Sequence, residues 1–101
     1  MNRLTLHARI IELDALRYTP AGIAVQGLKL EHESMQLEAG MERRVRLELS
    51  AFAAGAQALK LKGIQPGSLI AASGFLAPRR QGSRSLVFHI TELNPIESKD
   101  Q

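Results

Sequence analysis

Arg79, Arg80 and Arg84 stand close together in a stretch of chain that carries no carboxylate. A guanidinium is planar, always charged, and offers parallel N–H donors that match the oxygens of a phosphate. Grouped on one loop, such side chains suit a grip on a polyanion, nucleic acid above all. The loop runs Ala77-Pro78-Arg79-Arg80-Gln81-Gly82-Ser83-Arg84, and an apolar segment flanks it on each side. Other basic side chains are more ambiguous. Arg17 and Tyr18 precede the turn Thr19-Pro20-Ala21-Gly22, where Tyr18 either stacks on a base or covers a rim. Arg44 and Arg46 share one strand face with Glu42 and Glu48, so contact with nucleic acid competes with a cross-strand ion-pair ladder. Lys60 and Lys62 flank Leu61 and point to solvent or to a ligand with equal claim.

Catalytic chemistry finds little support. The chain has no cysteine, which excludes disulfides and thiolate sites and suits a reducing cytoplasm as its expected location. His7, His32 and His89 fall on three different strands without paired spacing or a carboxylate cluster, so no metal is expected. Ser50, Ser68 and Ser73 lack an adjoining base, and neither a nucleophile elbow nor a phosphate-binding glycine loop occurs. The expectation is a protein that is not an enzyme and needs no cofactor.

The positioning elements follow from period-two alternation. Leu4, Leu6, Ala8 and Ile10 alternate with Arg3, Thr5, His7 and Arg9, a half-buried first strand that continues to about Leu13. A second runs from Ile23 to Met35, and its phase change at Gly27 suggests a bulge. Gln36 to Glu42 reads as a polar connection, followed by a third strand to about Phe52. The Ala-rich stretch 53–62 allows a short helix, weakened by Gly55 and Gly63. Pro66-Gly67 then introduces the fourth strand, 68–76, and Ser85 to Leu93 forms the fifth. An all-β fold of five strands, with a short helix allowed between strands three and four, has the element order of an OB-fold barrel. Its domain spans residues 1–94, and residues 95–101 read as a polar, disordered tail. Aliphatic positions, among them Leu4, Leu6, Ile10, Val25, Leu28, Leu30, Val45 and Leu47, are assigned to the core or to an interface. So are Leu69, Phe75, Leu86, Phe88 and Ile90.

Charge is unevenly spread along this order. Residues 1–48 hold seven basic and seven acidic side chains, whereas residues 49–91 hold five basic ones and no acid. Such a segment projects a positive field toward an anionic partner. No apolar run approaches the ~20 residues of a membrane span, and the polar, alternating N-terminus is unlike a signal peptide, so no membrane association is expected.

Taken together, Asn2-Arg3-Leu4, Thr19-Pro20-Ala21-Gly22-Ile23, Leu30-Glu31-His32 and Glu38-Ala39-Gly40 form an ordered set. Gly67-Ser68-Leu69-Ile70, Gly74-Phe75-Leu76 and Val87-Phe88-His89 complete it. This pattern, from Asn2 to Leu93, resembles the primosomal replication protein N (PriB) family, small relatives of bacterial single-stranded-DNA-binding proteins. The resemblance implies an OB-fold homodimer that binds single-stranded DNA during restart of stalled replication forks. It also implies contacts with a primosomal helicase and a helicase loader. Carried onto this chain, the family's basic positions are Arg17 in the first hairpin and Arg79, Arg80 and Arg84 in the later loop. The chain departs from the pattern in two places. Met41 and Arg46 stand where the family can place stacking aromatics, and Glu33 stands where a basic residue can follow Leu-Glu-His. Binding is therefore expected to lean on phosphates, with a steep salt dependence. An OB-type module that bridges helicase and loader, with weak DNA binding, is the alternative; an RNA-binding domain rests on fold analogy alone.

Overall fold

A computed structural model describes residues 1–96. Its elements are β1 (Leu4–Leu13), β2 (Arg17–Tyr18), β3 (Ala24–Glu38), β4 (Met41–Ala54), α1 (Ala56–Lys60), β5 (Leu69–Pro78) and β6 (Leu86–Pro95). The five long strands close in the order β1-β5-β6-β4-β3 and back to β1. That is the OB order, reached because β1 serves two neighbours. Its first half, Leu4 to Arg9, pairs with β5, and its second half, Arg9 to Leu13, pairs with β3. The Asn2 side chain prolongs the β1–β5 ladder, donating from Nδ2 to the Leu76 carbonyl at 2.7 Å and accepting from its N–H at 3.0 Å.

Alternation decides what lies inside. Ala8, Ile10, Leu28, Leu30, Ile70, Ala72, Phe88, Ile90 and Leu93 are buried in one core, with small Ala51 and Ala53 supplied by β4. Phe88 is the one phenylalanine in that core; Phe75, expected there or at an interface, lies on the surface with Leu47 and Leu86. The α1 helix caps the open end of the barrel. Leu61 and Ala58 seal it from within, while Gln57 accepts from the Leu93 N–H at 2.9 Å and Lys60 donates to the Leu93 carbonyl at 3.1 Å. Lys60 is thus a tether of the cap.

The bulges fall elsewhere than the sequence suggests. β3 passes Gly27 without a slip, because the inward position there is held by Gln26, a polar residue buried beside Ala24 and Leu28. One bulge lies in β1, where Ile11 is extra between the pairs Ile10↔Leu30 and Glu12↔Lys29. The other lies between β5 and β6, where Thr91 is extra opposite Ser73 and Gly74. At Gly74 the strands crowd so closely that an added Cβ would lie 1.8 Å from the His89 carbonyl oxygen. The expected connection from Gln36 to Glu42 shrinks to Ala39-Gly40, at φ 53° and 78°, the left-handed pair of a two-residue hairpin. Consequently β3 and β4 run on as a long arm beyond the barrel. Pro95 closes β6, and Ile96 donates to the Leu69 carbonyl at 2.9 Å, so the barrel takes in the start of the expected tail. Residues 97–101 of that tail lie outside the described residues.

Candidate nucleic-acid interface

The first turn is built by Thr19. Its N–H donates to the Ile23 carbonyl at 2.9 Å, and its hydroxyl accepts from the Ile23 N–H at 3.1 Å. This brace holds Arg17 and Tyr18 as a short edge strand against Val25 and Ala24. The later loop is pinched at its base, where the Arg79 N–H donates to the Ser85 carbonyl at 2.8 Å. Arg80 and Arg84 therefore stand on the protruding part of the loop, and Arg79 at its root.

The two hairpins meet across one groove of about 430 Å³, to which Arg17 and Arg79 both contribute. Lys29 lies between them on β3, and Glu12 and Asp14 complete the wall on the β1 side. Arg79, Arg80, Arg84 and Arg17 make no salt bridge with any described residue. Their charge is available to an anion.

Phe52 and His89 form part of the groove floor, and neither was among the expected binding residues. In register, Gly27 lies opposite Phe52, Phe52 opposite His89, and His89 opposite Phe75. These residues make one transverse row on the outer face of four neighbouring strands. The rings of Phe75 and His89 are stacked at 5.0 Å with 2° between planes, and Phe52 meets His89 edge-on at 5.6 Å. Phe75 is 38% exposed. A face of this kind receives bases, because every base has a π-surface and unstacked bases settle on aromatic side chains. Aromatic rings, missing at Met41 and Arg46, thus stand further along β4 at Phe52 and on β5 and β6 at Phe75 and His89. The inward burial of Ala51, Ala53, Phe88 and Ile90 implies that Phe52 and His89 face outward. Only the parallel pairing of β4 with β6 brings them side by side.

The remaining expected residues lie apart. Tyr18 is exposed near the groove rim. Arg44 and Arg46 sit on the arm, where Arg44 pairs with Glu33 at 3.4 Å and Arg46 with Glu31 at 3.1 Å. Arg43 pairs with Glu38 at 3.3 Å. The partners come from β3, across the strand pair, which is the cross-strand ladder that competes with nucleic-acid contact. The hydrogen bond that Arg46 donates to Glu31, reinforced by the carboxylate's charge, pushes the Arg46 pKa above its ordinary value. Of the histidines, His32 donates from Nδ1 to the His7 carbonyl at 2.8 Å and engages the Ser34 hydroxyl through Nε2 at 2.9 Å. Its ring braces the root of the arm.

The profile of a family described as another single-strand binding protein family matches residues 2–92. The chain is 44% identical over 96 residues to a protein named replication restart protein PriB from Bordetella pertussis, covering 95% of this chain and 90% of that one. A solved structure of PriB from Ralstonia solanacearum superposes with a TM-score of 0.85 at 36% identity, covering 96% of this chain and 99% of the other. The single-stranded-DNA-binding protein of Thermus aquaticus shares the fold, with a TM-score of 0.76 at 24% identity over 98% of this chain and 52% of its own.

Proposed function

Since the chain belongs to the PriB family of replication restart proteins, we propose that it binds single-stranded DNA in the groove between the hairpins of Arg17 and Arg79. One observation carries this reading: unpaired arginines from two distant parts of the chain share a groove with Phe52 and His89, from which the aromatic row continues to the exposed Phe75. Arginines neutralise phosphates, and the row Phe52–His89–Phe75 accepts unstacked bases. Duplex DNA keeps its bases inside and offers the row nothing to stack on. Arg79 and Arg17 form the two walls, Arg80 and Arg84 reach out to further phosphates, and Tyr18 extends the stacking surface at the rim. Arg44 and Arg46 reach the DNA only if their carboxylate partners release them.

The work of the protein is that of a non-catalytic adaptor in primosome assembly, acting in the cytoplasm as a homodimer. It joins the DNA to a primosomal helicase and a helicase loader. A second reading, a protein-bridging module with weak DNA binding, draws on the arm. There Met35, Leu37 and Met41 are 57%, 73% and 72% exposed around the hairpin tip, an adaptable apolar surface suited to a protein partner.

Fluorescence anisotropy with labelled single-stranded DNA, duplex DNA and RNA tests these readings. The protein should prefer the single strand over duplex, and the Arg79/Arg80/Arg84→Ala variant should lose it. Weak binding that the variant leaves unchanged would favour the bridging module. A monomeric mass by light scattering at micromolar concentration would remove the homodimer from the proposal.

A further inference from the structure

The aromatic row ends on a carboxylate. Asp14 stands one rung beyond Gly27, bonded to it through its own N–H and the Gly27 carbonyl at 2.9 Å. Its outward aim is a product of the β1 bulge. Before Ile11 the even positions Ala8 and Ile10 face the core; after it, Leu13 turns inward and Glu12 and Asp14 turn out. Re-aiming a side chain in this way is a recurrent use of bulges. The buried Gln26 amide donates to the Asp14 carbonyl, so both backbone groups of Asp14 are held. No other polar side chain in the described core is buried. The carboxylate occupies the space above Gly27, where an added Cβ would lie 2.5 Å from Oδ2.

Asp14 also lacks a counter-ion. Neither Glu12, which lies opposite Lys29 in register, nor Asp14 forms a salt bridge with any described residue, and of the two only Asp14 sits over Gly27. A fixed, unpaired negative charge in a groove for a polyanion weakens phosphate binding generally. It becomes useful if something other than phosphate faces it. The Asp14 carboxylate takes the place a side chain would hold at Gly27, which lies opposite Phe52 in register, so a base resting on Phe52 would have its edge beside that carboxylate.

We propose that Asp14 makes this end of the groove a guanine subsite, reading the Watson–Crick edge of one unpaired base held on Phe52. The inference rests on the single-strand reading above. A carboxylate has two acceptor oxygens and no donor. Guanine alone presents two adjacent donors on that edge, N1–H and the 2-amino group, which together make a charge-assisted bidentate pair. Adenine and cytosine place a ring-nitrogen acceptor beside their single amino group. Thymine sets its one N–H between two carbonyls. Each of these meets the carboxylate with at least one repelled lone pair.

The test uses the full chain and short labelled oligothymidylates carrying one central deoxyguanosine, deoxyinosine or thymidine. Inosine differs from guanine only in lacking the 2-amino group. A hydrogen bond to a charged acceptor predicts about ten- to a hundredfold tighter binding of the guanine oligomer than of the inosine one. In Asp14→Asn and Asp14→Ala that ratio should fall to about one, while thymidine binding tightens as the negative charge is removed. Equal wild-type affinity for guanine and inosine would overturn the subsite and leave the single-strand reading intact. So would a uniform gain in both variants with the ratio unchanged, which marks a simple charge effect. Failure of the wild type to bind any of the oligomers would overturn the single-strand reading itself, and the subsite with it.

Discussion

The arm and the groove carry the same residue type to opposite ends. On the arm, Arg43, Arg44 and Arg46 each face a glutamate of β3 within 3.4 Å. Around the groove, Arg17, Arg79, Arg80 and Arg84 face no such partner among the described residues. The cause is strand register. Antiparallel pairing of β3 with β4 lays the glutamates of one strand beside the arginines of the other, whereas the β5–β6 loop projects from a stretch without acids. Charge in this molecule is therefore usable where the neighbouring strand leaves it unpaired. Its local density in the sequence is a weaker guide.

The strongest way to sharpen that contrast is to remove each set in turn. Arg79/Arg80/Arg84→Ala should lower single-strand affinity by about a hundredfold or more at low salt. The slope of log affinity against log salt should flatten by about 0.7 for each phosphate left without its arginine. Arg43/Arg44/Arg46→Ala should change affinity by no more than about threefold and leave the slope nearly untouched. Titration by anisotropy at several salt concentrations reads both quantities. An arm variant as damaging as the loop variant would break the comparison.

The next effect comes from the aromatic row that runs from the groove floor to Phe75, for which the arm has no phenylalanine, tyrosine or tryptophan counterpart. Phe75→Ala removes the exposed ring of the row without emptying the core, and stacking on one base contributes ~1–3 kcal/mol. Affinity should fall by about tenfold with the salt slope unchanged, because every phosphate keeps its arginine. The separation of slope from affinity tells stacking from charge, and a parallel fall in slope would show that the row acts only through neighbouring arginines.

Much of this was legible before the structure. The five strands, the site of the short helix and the basic loop all follow from alternation and turn chemistry. The groove was legible only in part. Arg17 and Arg79 meet because the barrel closes, which the order of elements and the resemblance to a known family both implied, whereas no local pattern shows the two hairpins side by side. The aromatic row was hidden for a different reason. Phe52, Phe75 and His89 come from three strands, and no spacing within one strand reveals a neighbour across a parallel pair. Gly27 misled because an inward Gln26 breaks hydrophobic alternation just as a bulge would. The true bulge at Ile11 sits within an unbroken apolar run, Ile10 to Ile11, that masks the change of parity. On the arm, alternation placed Arg44 and Arg46 correctly on one face, and only the register of β3 identified Glu33 and Glu31 as their partners.

The smallest expected effect tests the comparison from the other side. If pairing is what silences the arm, then removing the partners should give its arginines back. Glu31→Gln, Glu33→Gln and Glu38→Gln together leave Arg43, Arg44 and Arg46 in place and without their carboxylates. These pairs are exposed, so they contribute little to stability, and the triple variant should melt close to the wild type. Its affinity for a single strand long enough to run past the barrel should rise about two- to threefold at low salt. The gain should vanish as added salt shortens the screening length. A short strand confined to the groove should gain less, because the released charges stand away from it. If long and short strands gain equally, the glutamates act through the overall field of the protein. If neither gains, the arm arginines are turned away from the nucleic acid, and their pairing is a matter of arm structure alone.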